Sequence, residues 1–140
     1  MIFTLIVANL EKITVNGSGD VASEKPIKAE KLKLNINGSG DMELELEVAE
    51  LKTNINGSGD IEVKGTCGNL SANINGSGDF EGEKFETKDA DISIQGSGDV
   101  NLRVTGNLKA TILGSGDVTY SGKPTNVQSN IIGSGDINGR

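Results

Sequence analysis

The sequence predicts an all-β parallel β-helix, a solenoid of about seven coils with a period of about 19 residues, on three observations. The tetrapeptide Gly-Ser-Gly-Asp occurs seven times, ending at Asp20, Asp41, Asp60, Asp79, Asp99, Asp117 and Asp136, so the steps are 21, 19, 19, 20, 18 and 19 residues. Two residues before each tetrapeptide stands a β-branched aliphatic residue: Val15, Ile36, Ile55, Ile74, Ile94, Ile112 and Ile131. Around these positions apolar and polar residues alternate, most cleanly in Met42-Glu43-Leu44-Glu45-Leu46-Glu47-Val48. Alternation at period 2 is the strand signal, and no window has the three-and-four spacing of a helix.

Taken in chain order, the apolar run 1–9 reads as the first coil's strand. It is short for a secretory h-region, has no basic residue before it, and is far too short to span a bilayer. Counting from the first Gly of each tetrapeptide as zero, position minus six holds Leu32, Leu51, Leu70, Ala90, Leu108 and Val127, and position plus four holds Val21, Met42, Ile61, Phe80, Val100, Val118 and Ile137. Like residues at like positions imply that each coil stacks on its neighbour. Both glycines of the tetrapeptide fall on even, inward positions and are expected to form a corner or pinch. Such regular apolar flanks exclude a flexible Gly/Ser linker. Coil-length differences are expected to bulge out as loops at 22–28, which contains Pro26, and at 82–88. The chain 1–140 reads as one domain, a rod roughly 30 Å long.

Composition removes several functional classes. The chain is 34% hydrophobic but only 3% aromatic, which suits thin aliphatic stacks. With 20 acidic against 13 basic residues the net charge is −7, opposite in sign to what nucleic acid or an anionic bilayer surface requires. No nucleic acid partner and no membrane insertion are expected. There is no His, and Cys67 is the sole cysteine, so neither an intrachain disulfide nor a cysteine-based zinc site can form. In a repeat position Cys67 reads as a small buried apolar residue.

Odd positions should face water and build a polar strip. Position minus one carries Asn16, Asn37, Asn56, Asn75 and Gln95, giving way to Leu113 and Ile132, and position plus three carries the seven Asp residues. These Asn, Gln and Asp residues form the candidate ligand-facing strip. Its structural reading is that stacked amides bond from coil to coil while Ser and Asp satisfy turn amides. Carboxylates about 5 Å apart repel by roughly 1 kcal/mol per pair in water. Relief is expected from splayed rotamers, backbone amides, a cation, or the lysines at position minus five (Lys12, Lys33, Lys52, Lys109). Calcium at the Asp ladder is the functional alternative, since hard oxygen ligands suit it. The calcium β-roll, however, uses Gly-Gly-x-Gly-x-Asp at a nine-residue period. No metal is therefore assigned, and no cofactor.

The repeated Ile-Asn-Gly-Ser-Gly-Asp-Ile-type unit, as at 55–61 and 74–80, and the closing run Asp117-Val118-Thr119-Tyr120-Ser121-Gly122-Lys123-Pro124 resemble the bacterial family of putative auto-transporter adhesins, head GIN domain, common in exported proteins of Bacteroidetes. The resemblance covers essentially the whole chain. It implies a single-stranded right-handed parallel β-helix and a surface or periplasmic location. Family members carry an export signal and further strands before the first such unit, so the chain looks shortened at its N-terminus. No catalytic residue transfers.

Three functions are weighed. A non-enzymatic surface or adhesion module follows from a rigid rod with a repetitive face, the expected partner being a glycan or a surface protein. The scarcity of aromatic platforms (Phe3, Phe80, Phe85, Tyr120) counts against sugars, and Phe80 falls on a core position. A spacer that self-associates through its open helix ends is the second. A polysaccharide-acting enzyme is the third. It needs a carboxyl pair that breaks the repeat, and the serines have no His to serve as base.

Overall fold

The computed structural model describes residues 2–5, 12–23 and 26–139. Twelve parallel strands form a single continuous sheet wound into a solenoid: β1 (Ile2–Leu5), β2 (Lys12–Gly17), β3 (Asp20–Ser23), β4 (Ile27–Gly38), β5 (Met42–Gly57), β6 (Ile61–Gly76), β7 (Phe80–Gly96), β8 (Val100–Val104), β9 (Asn107–Gly114), β10 (Val118–Gly122), β11 (Asn126–Gly133) and β12 (Ile137–Gly139). No described residue is helical. The run 1–9 is in part borne out: 2–5 form β1, in register with β3, while 1 and 6–9 lie outside the described residues.

Every strand pair is parallel, and equivalent residues lie in file. Ile36, Ile55, Ile74, Ile94, Ile112 and Ile131 stack one on the next, as do Leu32, Leu51 and Leu70 followed by Ala90. The inner faces form one aliphatic core, with Phe80 and Phe85 its largest fully buried side chains. At the far end Val127 and Ile131 occupy core positions yet remain 40% and 38% exposed, because no described coil lies over β11.

Each coil has two corners. At the Gly-Ser-Gly-Asp corner the two glycines do different jobs. The first was expected inward and is not: it is exposed or half-buried in all seven coils and takes φ between +96° and +127°. Only Gly enters that region freely, so it turns the chain. The second is the pinch. Gly59 is buried, and a Cβ there would strike the Gly40 carbonyl oxygen and lie 2.6 Å from Ile36 Cγ2. The opposite corner appears as two successive outward residues, Ala49 and Glu50 in β5, after which the buried parity switches from even to odd numbers. The polar residues of a corner satisfy their amides on the coil below: the Gly38 carbonyl, for instance, accepts from the Ser58 and Gly59 amides at 3.1 Å each.

The expected loop at 22–28 is corrected in part: 22 and 23 end β3, 27 and 28 begin β4 with Ile27 fully buried, Pro26 between them is exposed, and 24 and 25 lie outside the described residues. The 82–88 segment is not an external loop. It continues β7 with a bulge near Gly82–Phe85, and Phe85 turns inward, fully buried, opposite Gly65 of the coil below. Gly65 itself takes φ +114°, and a Cβ there would strike the Leu46 carbonyl oxygen of the next coil; the extra residue of this coil is taken up by the bulge, which bends the strand and re-aims its side chains.

Thr87 is fully buried in this core, beside Cys67 and Val104 in register, and its hydroxyl has no hydrogen-bond partner. An unmet buried hydroxyl is destabilising. Thr87→Val keeps the shape and removes the polar atom, so it is expected to raise unfolding stability by about 1 kcal/mol. A higher urea midpoint at unchanged slope is the readout; an unchanged or lower midpoint contradicts it.

Candidate functional site

The polar strip forms as two ladders beside the Gly-Ser-Gly-Asp corner. In the outer one Asn37, Asn56 and Asn75 each donate an amide hydrogen to the Asn one coil below, from Asn16 upward, at 3.0, 3.1 and 3.1 Å. Gln95 continues the file in register, and Leu113 and Ile132 replace it at the far end, 37% and 62% exposed. A parallel file of half-buried amides runs beside it: Asn54 bonds Asn35 at 3.0 Å and Asn73 bonds Asn54 at 3.2 Å.

The seven aspartates stack too, and the structure answers how they tolerate one another. The backbone N–H of each Asp donates to Oδ1 of the Asp one coil below, at 2.9–3.1 Å, through all six steps from Asp20 to Asp136. A hydrogen bond to a charged acceptor is worth about 1.5–3 kcal/mol, against roughly 1 kcal/mol of repulsion between adjacent carboxylates in water. The amide outweighs the repulsion. Among the described residues none of the minus-five lysines is seen paired with these aspartates: Lys28 pairs with Glu47 at 3.6 Å, Lys31 pairs with Glu50 at 3.8 Å, and Lys12, Lys33 and Lys52 stack in a file of their own. Among the described residues no group of three or more acids is placed to hold a metal.

Sequence reasoning missed a second acidic file. Glu43, Glu62 and Glu81 stack in register two residues beyond the aspartates. With Asp20, Asp41 and Asp60 they line a groove of about 380 Å³. The carboxyl of Glu81 is held above its ordinary range, first by desolvation and then by the charges of Glu62, Asp60, Asp79 and Glu83. Raised in the folded state, it contributes stability that is present below the unfolded value of 4.5 and is lost as pH rises through the folded value. Glu81→Gln is therefore expected to be more stable than the parent at neutral pH, the gain vanishing below about pH 4.5. Urea midpoints across this range check it; an equal gain at both ends contradicts it. The signal was available: Glu recurs two residues after Asp41, Asp60 and Asp79.

A second groove lies on a different face. It encloses about 510 Å³ and crosses four coils at 31–33, 50–52, 69–71 and 89–91, over the file of Leu32, Leu51, Leu70 and Ala90. Cys67, by contrast, is inert core: burial pushes its thiol up to about 12 despite bonds from its backbone surroundings, and its Sγ sits 3.0 Å from the Asn69 carbonyl oxygen.

Ladders of identical polar side chains on a stacked parallel coil, with no metal-holding cluster among the described residues, define a repetitive β-solenoid surface. The chain belongs to the family described as putative auto-transporter adhesin, head GIN domain, whose model matches residues 1–124. No curated protein matches it. Solved structures do. A putative adhesin from Bacteroides fragilis shares 27% identity at a TM-score of 0.85, over 94% of this chain and 61% of that one. A structure from Parabacteroides distasonis described as a putative lipid binding protein shares 33% identity at 0.90, over 99% and 56%. A putative adhesin from Parabacteroides merdae shares 30% identity at 0.89, over 94% and 57%. The chain thus spans about three fifths of the length of these structures.

Proposed function

We propose that the chain is a non-enzymatic, exported or cell-surface binding module whose polar strip engages a repetitive partner, a glycan or a surface protein. The observation that carries this is periodicity. Asn16, Asn37, Asn56, Asn75 and Gln95 recur at the rise of one coil, beside the files of Asp and Glu, so a partner with a matching repeat meets the same group several times. Repeated weak contacts on a rigid array add as multivalent binding. Family membership supports the surface setting. No described helix is long and apolar enough to cross a membrane. The Asp file supports a non-enzymatic role, because its carboxylates from Asp20 to Asp117 each accept the next coil's backbone amide in the same way, where a catalytic pair needs two different environments.

The test is a glycan and matrix-protein array probed with the parent and with a variant carrying Asn37→Lys, Asn56→Lys and Asn75→Lys. Binding by the parent and loss in the variant is expected; equal binding by both removes the strip from the function. A rise in melting temperature with added calcium would reassign the Asp ladder to cation binding. Concentration-dependent self-association without array binding would favour a spacer.

A further inference from the structure

We propose that the exposed edge of β11 is a self-association surface: two copies of this chain meet end to end about a two-fold axis, β11 antiparallel to β11, with Ser129 facing Ser129 of the second copy. The polar strip stays free in such a pair, since its nearest member, Gln95, lies two coils below Ile132.

Three observations meet at this edge. The first is that it is open. Within the sheet β11 pairs with β9, and no described strand covers its other row of backbone N–H and C=O groups. All eight residues of β11 are exposed. These include Val127 and Ile131, whose equivalents one coil below, Leu108 and Ile112, are buried core.

The second is that nothing on it deters pairing. Edge strands are ordinarily protected by charge, proline, shortness or a bulge. Asn126–Gly133 has no charged residue and no proline, runs for eight residues, and keeps unbroken register with β9. The outward file that is polar from Asn16 to Gln95 turns apolar at this end, with Leu113 37% and Ile132 62% exposed.

The third is charge. Residues 1–103 carry 10 basic and 18 acidic side chains, a net of −8, whereas 104–140 carry Lys109, Lys123 and Arg140 against Asp117 and Asp136, a net of +1. Two copies of an acidic rod repel least where their own charge nearly vanishes.

Symmetry selects the register. A surface that binds its own copy about a two-fold axis has to complement itself. Residues opposite one another in an antiparallel pair share a face, so only a register centred on a residue keeps core positions together. Centred on Ser129, Val127 meets the second copy's Ile131, and Ile131 meets its Val127. On the outer face Gln128 meets Asn130, two amides that can bond each other, and Ile132 meets Asn126. A centre one residue away in either direction sets Ser129 against Val127 or Ile131 instead, and the apolar match is lost. The other end of the rod does not offer this surface. Its strand β2 carries Lys12, and its core residues Ile13 and Val15 are already buried. A strand of this length spans about 26 Å, and with walls about 10 Å apart plus their side chains the end face of each copy is about 500 Å². The total of about 1,000 Å² stands at the low end of stable interfaces, so micromolar association is expected.

The test is analytical ultracentrifugation of the chain from low-micromolar to submillimolar concentration, where a monomer–dimer equilibrium is expected. Ser129→Asp and Ser129→Lys should each weaken the dimer at least about tenfold, because like charges then face each other across the axis. An equimolar mixture of the two should restore it, which requires that residue 129 face itself. Ile132→Asp, on the outer face and outside the core, should weaken it as well. Lys84→Glu, far from the edge, changes the net charge more than Ser129→Asp does and should leave the dimer unchanged. Circular dichroism should show all variants folded. A chain that stays monomeric at every concentration overturns the proposal. Assemblies that grow beyond the dimer overturn the two-fold pairing. A dimer undiminished in the Ser129 and Ile132 variants overturns the β11 surface. Asp and Lys variants that both stay monomeric when mixed overturn the register.

Discussion

Phe80→Ala is expected to lower the unfolding free energy by about 3–5 kcal/mol, the cost of emptying an aromatic site in a close-packed core. Phe80 is fully buried, stacked between Ile61 below and Val100 above. Its coil cannot collapse into the space. The Phe80 amide is bonded to the Asp99 carbonyl oxygen at 2.9 Å, and the neighbouring coils are held by similar bonds at Met42, Ile61 and Val100. The loss therefore includes both the transfer of the ring and the cavity that remains. Because each coil touches only its neighbours, a weakened middle rung also threatens cooperativity. The readout is urea unfolding followed by circular dichroism. A falling midpoint is expected. A change below about 1 kcal/mol would mean that the site relaxes, against the packing described.

Gly78→Ala is expected to cost about 3 kcal/mol, at the upper end of what overpacking a core exacts. Gly78 is buried and its φ is not in the left-handed region, so the penalty is one of space alone. A Cβ there would strike the Gly59 carbonyl oxygen and lie 2.6 Å from Ile55 Cγ2. Neither obstacle can yield, since one is backbone of the pinch below and the other is a fully buried core side chain. Gly17 provides the contrast. It has φ +96° and nothing within 4 Å of its Cβ position, so Gly17→Ala meets only the left-handed backbone penalty of about 1–2 kcal/mol. Paired urea midpoints separate the two; a larger loss at Gly17 than at Gly78 would contradict the assignment of pinch and turn.

The solenoid was legible because the tetrapeptide and its flanking Ile recur at nearly constant spacing, and only in-register stacking lets one position keep one residue type. The Asn ladder and the core place of Phe80 followed from that register. The first glycine of the corner was misread because position parity treats both glycines alike, whereas only backbone torsion tells a turn from a pinch. The second corner had an arithmetic signal. A coil of 19 residues cannot keep period-2 alternation and return to the same face, so one parity break per coil is compulsory. The break falls at Ala49 and Glu50 in β5. The 20-residue coil from Asp79 to Asp99 needs two breaks or none, and the bulge near Gly82–Phe85 supplies the second. The remedy for Asp repulsion was less accessible. Backbone amides, lysines and cations all suit a carboxylate, and only coordinates place the amide of Asp41 against Asp20 rather than bringing Lys33 near. The groove crossing 31–33 to 89–91 was hidden because its walls come from −7 and −5 positions whose residue types vary from coil to coil.

Distances between spin labels along the outer file test the in-register rod directly. In a Cys67→Ala background, one label at Ile132 is paired in turn with a label at Asn56, Asn37 or Asn16, all exposed positions. Four, five and six coil steps predict separations of about 19, 24 and 29 Å, each widened similarly by the label arms. Equal increments of about 5 Å confirm vertical files. Distances that fail to grow with coil number, as antiparallel hairpins would give, contradict the stacked surface on which the proposed function stands.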